Sequence, residues 1–153
     1  MTKLSTTPRT FTVERDYAFA PAVVFSGFAT IEAKKVWFGN ETNSEVTKHT
    51  LDFRVGGWEH WRGKPQGHTA WMTNDTLIHE VVPNERIIIG YSMTMDERLF
   101  TVSQQVLEFL PKGDGTRLKL TEQILYIDVA DHHENRVQGT EALLASLDAY
   151  LQR

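Results

Sequence analysis

The sequence predicts an α+β helix-on-sheet architecture: a strongly curved antiparallel sheet of about seven strands wrapping a long C-terminal helix, with two short helices after strand one. Three observations lead there. From Glu45 to Thr121, short alternating runs are punctuated by turn residues and nothing sustains a helical period. Only the stretch from Asp131 to about Gln152 carries a long amphipathic helical pattern. Pro21 and Thr30 each open a short helical segment soon after an alternating start.

Each element has a local reason. Between Thr10 and Tyr17, Phe11, Val13 and Tyr17 alternate with Thr12, Glu14 and Asp16, the period of a strand with one buried face. Pro21 fits a first helical position, where the missing N–H costs nothing, and Val24, Phe25 and Phe28 follow at helical spacing to about Ala29. Thr30 caps a second short helix with Glu32 in its first turn, ending at Trp37 before the breaker Gly39. Strands are expected over 45–54, 57–62, 68–82, 86–95, 98–110 and 116–127. Between them lie Gly56-Gly57, Gly63-Lys64-Pro65-Gln66-Gly67, Pro83-Asn84-Glu85, Asp96-Glu97 and Gly113-Asp114-Gly115. The polar pair Asn74-Asp75 interrupts 68–82 and predicts a bulge. Gly56-Gly57 reads as a turn or bulge, because no helix follows that could complete a phosphate cradle. Asp131 caps the last helix, whose stripe of Val137, Leu144, Leu147 and Leu151 is widened by Ala142, Leu143 and Tyr150.

Composition narrows the function. The 153 residues fit one domain with a single core, and Lys plus Arg (16) against Asp plus Glu (20) give a net charge of −4 with no long run of either sign. That disfavours nucleic acid and anionic membranes, which attract basic patches. No segment is apolar enough over the length of a membrane span. The segment Met1–Thr10 has no apolar stretch of the signal-peptide kind, so a cytoplasmic location is expected. Without cysteine there is no disulfide, thiolate metal site, iron–sulfur cluster or thiol nucleophile. His132 and His133 are adjacent on a helix and cannot share an ion, and His60 and His68 have Arg62 between them and no identifiable third ligand, so no metal is expected; no cofactor is expected either. Neither Gly-x-Ser-x-Gly nor a triad spacing occurs.

Several segments carry a family resemblance. Glu14-Arg15, Ala20-Pro21-x-x-Val24-Phe25, Val36-Trp37-Phe38-Gly39 and Asp52-Phe53-Arg54-Val55-Gly56-Gly57, in that order, resemble the START-like (SRPBCC) superfamily of helix-grip proteins. Val82-Pro83-Asn84-Glu85-Arg86-Ile87, Tyr91-Ser92-Met93, Gly115-Thr116-Arg117-Leu118, Leu120-Thr121-Glu122-Gln123 and Arg136-x-x-Gly139 are similar to its Aha-type branch, named for the activator of a heat-shock-protein ATPase. The resemblance spans about residues 10 to 152. It implies a helix-grip fold with a ligand cavity between sheet and long helix, in a superfamily of lipid and hormone carriers, polyketide cyclases, self-resistance proteins and chaperone activators. A chaperone partner is implied by the branch name alone, and the additional N-terminal domain of the eukaryotic activators is not expected here, which weighs against that partner.

Strand parity then selects the side chains facing the helix. Leu118, Leu120, Ile124 and Tyr126 choose one face of 116–127, which carries Glu122 inward among apolar neighbours. Leu107 and Phe109 bring Gln105, Ser103 and Thr101 inward, and Ile87 and Ile89 bring Tyr91, Met93 and Met95. Pairing the 57–62 and 68–72 runs about Pro65 puts Glu59, Trp61, Thr69 and Trp71 on the inward face.

A small hydrophobic or aromatic ligand would therefore meet Trp61, Trp71, Tyr91 and Met93, with Glu59, Ser103, Gln105 and Glu122 as polar members. A desolvated inward Glu has two readings: a polar contact or general acid/base for the ligand, as in a cyclase- or hydrolase-like enzyme, or a partner of an inward Arg or Tyr. Gly139, costly inside a helix, is explained equally by clearance for a ligand and by close strand packing. Trp37-Phe38 either caps the core or offers a protein-docking surface, and a homodimer through an exposed sheet edge stays open.

Overall fold

The alternating residues near the start of the chain form β1 (Thr6–Tyr17), with Phe11, Val13 and Tyr17 buried. The computed structural model describes residues 4–39, 43–130 and 132–153; Asp131, the expected cap of the last helix, lies outside them. Pro21 opens α1 (Pro21–Ala29), and the Thr30 hydroxyl accepts the Ala33 N–H at 3.2 Å to cap α2 (Ile31–Trp37). There follow β2 (Ser44–Leu51), β3 (Trp58–Pro65), β4 (Met72–Val82), β5 (Arg86–Met95), β6 (Arg98–Lys112), β7 (Gly115–Ile127) and α3 (His133–Leu151). All strand pairs are antiparallel, in the order β1-β7-β6-β5-β4-β3-β2, so the first strand closes beside the last. The protein has the α+β helix-grip fold that the sequence predicts.

The sequence reading needs three corrections, all of them shifts of register. Asn74 and Asp75 pair regularly with Met93 and Ser92, and the bulge of β4 lies between Ile78 and Glu80. The polar pair needs no bulge because each side chain finds a partner in place: Asn74 accepts the Thr76 hydroxyl, and Asp75 bonds His60. A second irregularity between Met93 and Thr94 of β5 leaves Met95 exposed, against its expected inward direction.

The third correction concerns β3 and β4. Their register pairs Gly63 with Met72, Trp61 with Asn74 and Glu59 with Thr76, leaving 66–71 as a loop. Compared with pairing about Pro65 this is a shift by an odd number of residues, which exchanges the two faces of β4. Asn74, Thr76 and Ile78 face inward, Thr69 is exposed in the loop, and Trp71 goes to the outer face. The Trp71 N–H donates to Asp96 Oδ1 at 2.9 Å and its carbonyl accepts the Asp96 N–H at 2.7 Å, which ties it to the β5–β6 turn. Its ring lies under the Arg62 guanidinium at 4.4 Å and near Lys64 at 5.1 Å.

Packing along α3 is uneven, and that positions the site. The C-terminal half is sealed: Leu144 and Leu147 are buried, and a Cβ placed on Gly27 of α1 would lie 2.6 Å from Leu147 Cδ1. The Tyr17 hydroxyl donates to the Leu144 carbonyl at 2.8 Å, and Arg15 pairs with Asp148 at 2.9 Å. The N-terminal half, carrying Arg136, Gly139, Thr140 and Leu143, instead faces a hollow over β3, β4 and β5. Among the described residues no helix is long and apolar enough to cross a membrane.

Candidate functional site: a hollow between sheet and helix

The hollow measures about 340 Å³ and its wall is mostly apolar, with Met72, Ile78, Ile87, Ile89 and Met93 on the sheet side and Leu143 on the helix side. The inward parity of adjacent strands brings these side chains together. Trp61 of β3 forms part of the wall, its indole N–H donating to the Gly39 carbonyl at 3.1 Å. Two glycines make room for that ring: a Cβ on Gly39 or Gly63 would come within 2.9 Å and 2.7 Å of indole carbons. Gly39 also has φ +54°, which favours glycine. On the opposite wall, a Cβ on Gly139 would meet nothing within 4 Å, so clearance, and not close strand packing, describes its surroundings.

One polar pole is centred on Glu122 of β7, which has no exposed surface. Its Oε2 accepts the hydroxyls of Tyr91 (2.6 Å) and Ser103 (2.8 Å), and its Oε1 accepts the Gln105 amide (2.7 Å). Arg136 of α3 places Nη1 3.7 Å from Oε2, donates to the Tyr91 oxygen at 3.3 Å, and through Nη2 reaches Thr101 at 3.2 Å and the Met93 sulfur at 3.6 Å. Burial first, and then the neighbouring Glu122 charge, push the Tyr91 phenol well above its ordinary value, so it stays protonated and donating. The carboxylate is thus satisfied on both oxygens and sits behind Tyr91 and Gln105.

The second pole joins three elements. Glu59 of β3 is paired with the Lys34 ammonium at 3.1 Å and His49 Nε2 at 2.8 Å, all three side chains being nearly buried. Lys34 lies 4.0 Å from the centre of the Phe38 ring and 5.0 Å from that of Trp37, so aromatic faces complete its surroundings. Burial alone would raise the Glu59 carboxyl, but the Lys34 charge and the bonds from His49 and Lys34 outweigh it and hold it below the ordinary value.

That depression has a pH consequence. A carboxyl with a lower pKa folded than unfolded adds stability that is complete above the unfolded value and lost as pH falls through the folded one. Glu59→Gln is therefore expected to cost about 1–3 kcal/mol at neutral pH and to flatten the acid limb of a stability-against-pH curve measured by urea unfolding. Asp16, held at about 2 by hydrogen bonds from Arg117 and Lys112, titrates in the same direction but is at the surface. Added salt screens Asp16 and leaves the Glu59 effect, which separates the two.

Of the residues singled out from sequence, Glu59, Trp61, Tyr91, Met93, Gln105 and Gly139 line the hollow. Ser103 and Glu122 lie behind the wall, joined to it by hydrogen bonds, while Trp71 is on the outer face for the register reason above. Trp37 is buried, donating its indole N–H to the Gly27 carbonyl at 2.8 Å, and Phe38 packs against it, so the pair closes the core and borders the hollow from that side. Lys34, Arg136, Asn74 and Thr76 were missed. Arg136 had a readable signal, since its i, i+3 spacing to Gly139 puts both on one helix face. Asn74 and Thr76 required the correct register. Among the described residues no group of His, Asp or Glu has the arrangement of a metal site.

Residues 18–152 match the family model described as Activator of Hsp90 ATPase homolog 1-like protein. The chain belongs to that family. Similar solved structures include an uncharacterized protein from Rhizobium leguminosarum, 31% identical over 99% of each chain with a TM-score of 0.92. Protein Mll3558 from Rhizobium loti is 35% identical, over 95% of this chain and 99% of that one, with a TM-score of 0.86. An AHSA1-like protein from Aeromonas hydrophila, 15% identical over 94% and 92% of the two chains with a TM-score of 0.67, shares the fold. The search of curated proteins found no match.

Proposed function

We propose that this AHSA1-like protein binds a small, largely hydrophobic molecule between its sheet and α3. The observation that carries the reading is the hollow itself: about 340 Å³, apolar over most of its wall, with polar groups converging from separate elements. Gly139 supports it, because a helix-interior glycine costs roughly 1 kcal/mol and here opens onto space instead of a neighbouring strand. Trp61, Tyr91 and Met93 supply apolar contact, while Gln105, Arg136 and Glu59 supply orientation.

Binding is favoured over acid–base catalysis by the position of Glu122. A general acid or base must reach its substrate proton directly or through one water. The Glu122 oxygens are occupied by Tyr91, Ser103 and Gln105 and have no exposed surface. Its role here is to hold the wall in place.

A thermal-unfolding screen against alcohols, amides, aromatic hydrocarbons, bicyclic phenols and fatty acids tests the proposal. A true ligand at about a hundredfold excess over its Kd is expected to raise Tm by roughly 5–10 °C, in a concentration-dependent way. A panel in which no compound raises Tm would count against a binding role.

A further inference from the structure

The charges around the hollow cancel in pairs. Arg136 faces Glu122, with Nη1 3.7 Å from Oε2, and Lys34 faces Glu59 at 3.1 Å, so each cation has its anion beside it. From the hollow, each pair acts as a short dipole, whose field falls off faster than that of a lone charge. A charged ligand would surrender its hydration and meet no unbalanced counter-charge in return.

The amides on the wall fit a different ligand. Gln105 gives Nε2–H to Glu122, which assigns the orientation of its amide and leaves its carbonyl as an acceptor at the wall. Asn74 is oriented the opposite way: its Oδ1 accepts the Thr76 hydroxyl, leaving its NH₂ as a donor. An acceptor on β6 and a donor on β4 suit a hydroxyl or an amide.

We infer that the hollow selects an uncharged amphipathic ligand, an apolar body ending in a hydroxyl or carboxamide, and discriminates against carboxylates and ammonium ions of the same shape. The inference rests on the binding role proposed above and adds the ligand's chemical class. Glu122 is then a positioning and charge-balancing residue that acts through Arg136, Tyr91 and Gln105.

Isothermal titration with octanol, octanoate and octylammonium at neutral pH provides the test. Octanol is expected to bind at least about tenfold more tightly than either ion. Because any apolar pocket disfavours ions, the decisive readout is Glu122→Gln, which leaves Arg136 without its counter-charge. Octanoate is expected to gain about tenfold relative to octanol in that variant. Should Glu122→Gln fail to fold, Glu59→Gln unbalances Lys34 in the same sense, and octanoate is expected to gain about tenfold relative to octanol there. Octanoate or octylammonium binding the wild type as tightly as octanol, or octanoate gaining nothing in the folded variant, would overturn the inference while leaving the binding role intact. Absence of binding by all three would overturn the inference together with the role for ligands of this size.

Discussion

Glu122→Ala is expected to lose about 3–5 kcal/mol of folding stability, the largest single-residue effect in the polar network. The substitution strands four groups together: the hydroxyls of Tyr91 and Ser103, the Gln105 amide and the Arg136 guanidinium all lose the carboxylate they face. Glu122 is completely buried, so bulk water does not replace it without a cavity opening. Glu122→Gln keeps the shape; its amide can donate to the Tyr91 and Ser103 oxygens while its carbonyl still accepts from Gln105, so a loss of about 1–2 kcal/mol is expected. Urea unfolding of both variants measures the difference. A Glu122→Ala protein within about 1 kcal/mol of wild type would mean that the network contributes little to the fold.

At Gly139 the expected effects on stability and binding separate. Gly139→Phe should lower octanol affinity by about a hundredfold or more while leaving the protein folded, because the ring enters space that is empty of protein atoms. Gly139→Ala is the control. Its methyl meets nothing within 4 Å, so it should keep octanol binding within about threefold and stabilise α3 by about 0.5–1 kcal/mol. Titration and thermal unfolding of the two variants check both halves. Full octanol affinity in Gly139→Phe would place binding elsewhere on the molecule.

The architecture was legible because it rests on local signals. Pro21, the Thr30 cap, the alternation in β1 and β7, and the stripe on α3 each act over a few residues, and the sheet order follows from consecutive hairpins. Glu122 was legible too, since its apolar neighbours in β7 fix the face it must occupy. The β3–β4 face was misread because the length of a loop is set by what anchors its far end. Here that anchor is Asp96, which holds Trp71 from a turn distant in sequence. Lys34 stayed hidden for a related reason: a cation on a short helix reads as a solvated residue until the carboxylate opposite it is known. Pairings of this kind lie between elements, where neither period nor propensity carries a signal.

The central claim is that a ligand enters the hollow between sheet and helix, and the four tryptophans provide internal probes for it. Trp37 and Trp61 line the hollow, whereas Trp58 is exposed and stacked on His60, and Trp71 lies under Arg62 on the outer face. Octanol titrated into the protein and followed by the indole N–H resonances should shift Trp61 and Trp37 along one saturable curve and leave Trp58 and Trp71 in place. Shifts at Trp58 or Trp71 with Trp61 and Trp37 unmoved would put the binding surface outside the hollow and contradict the account.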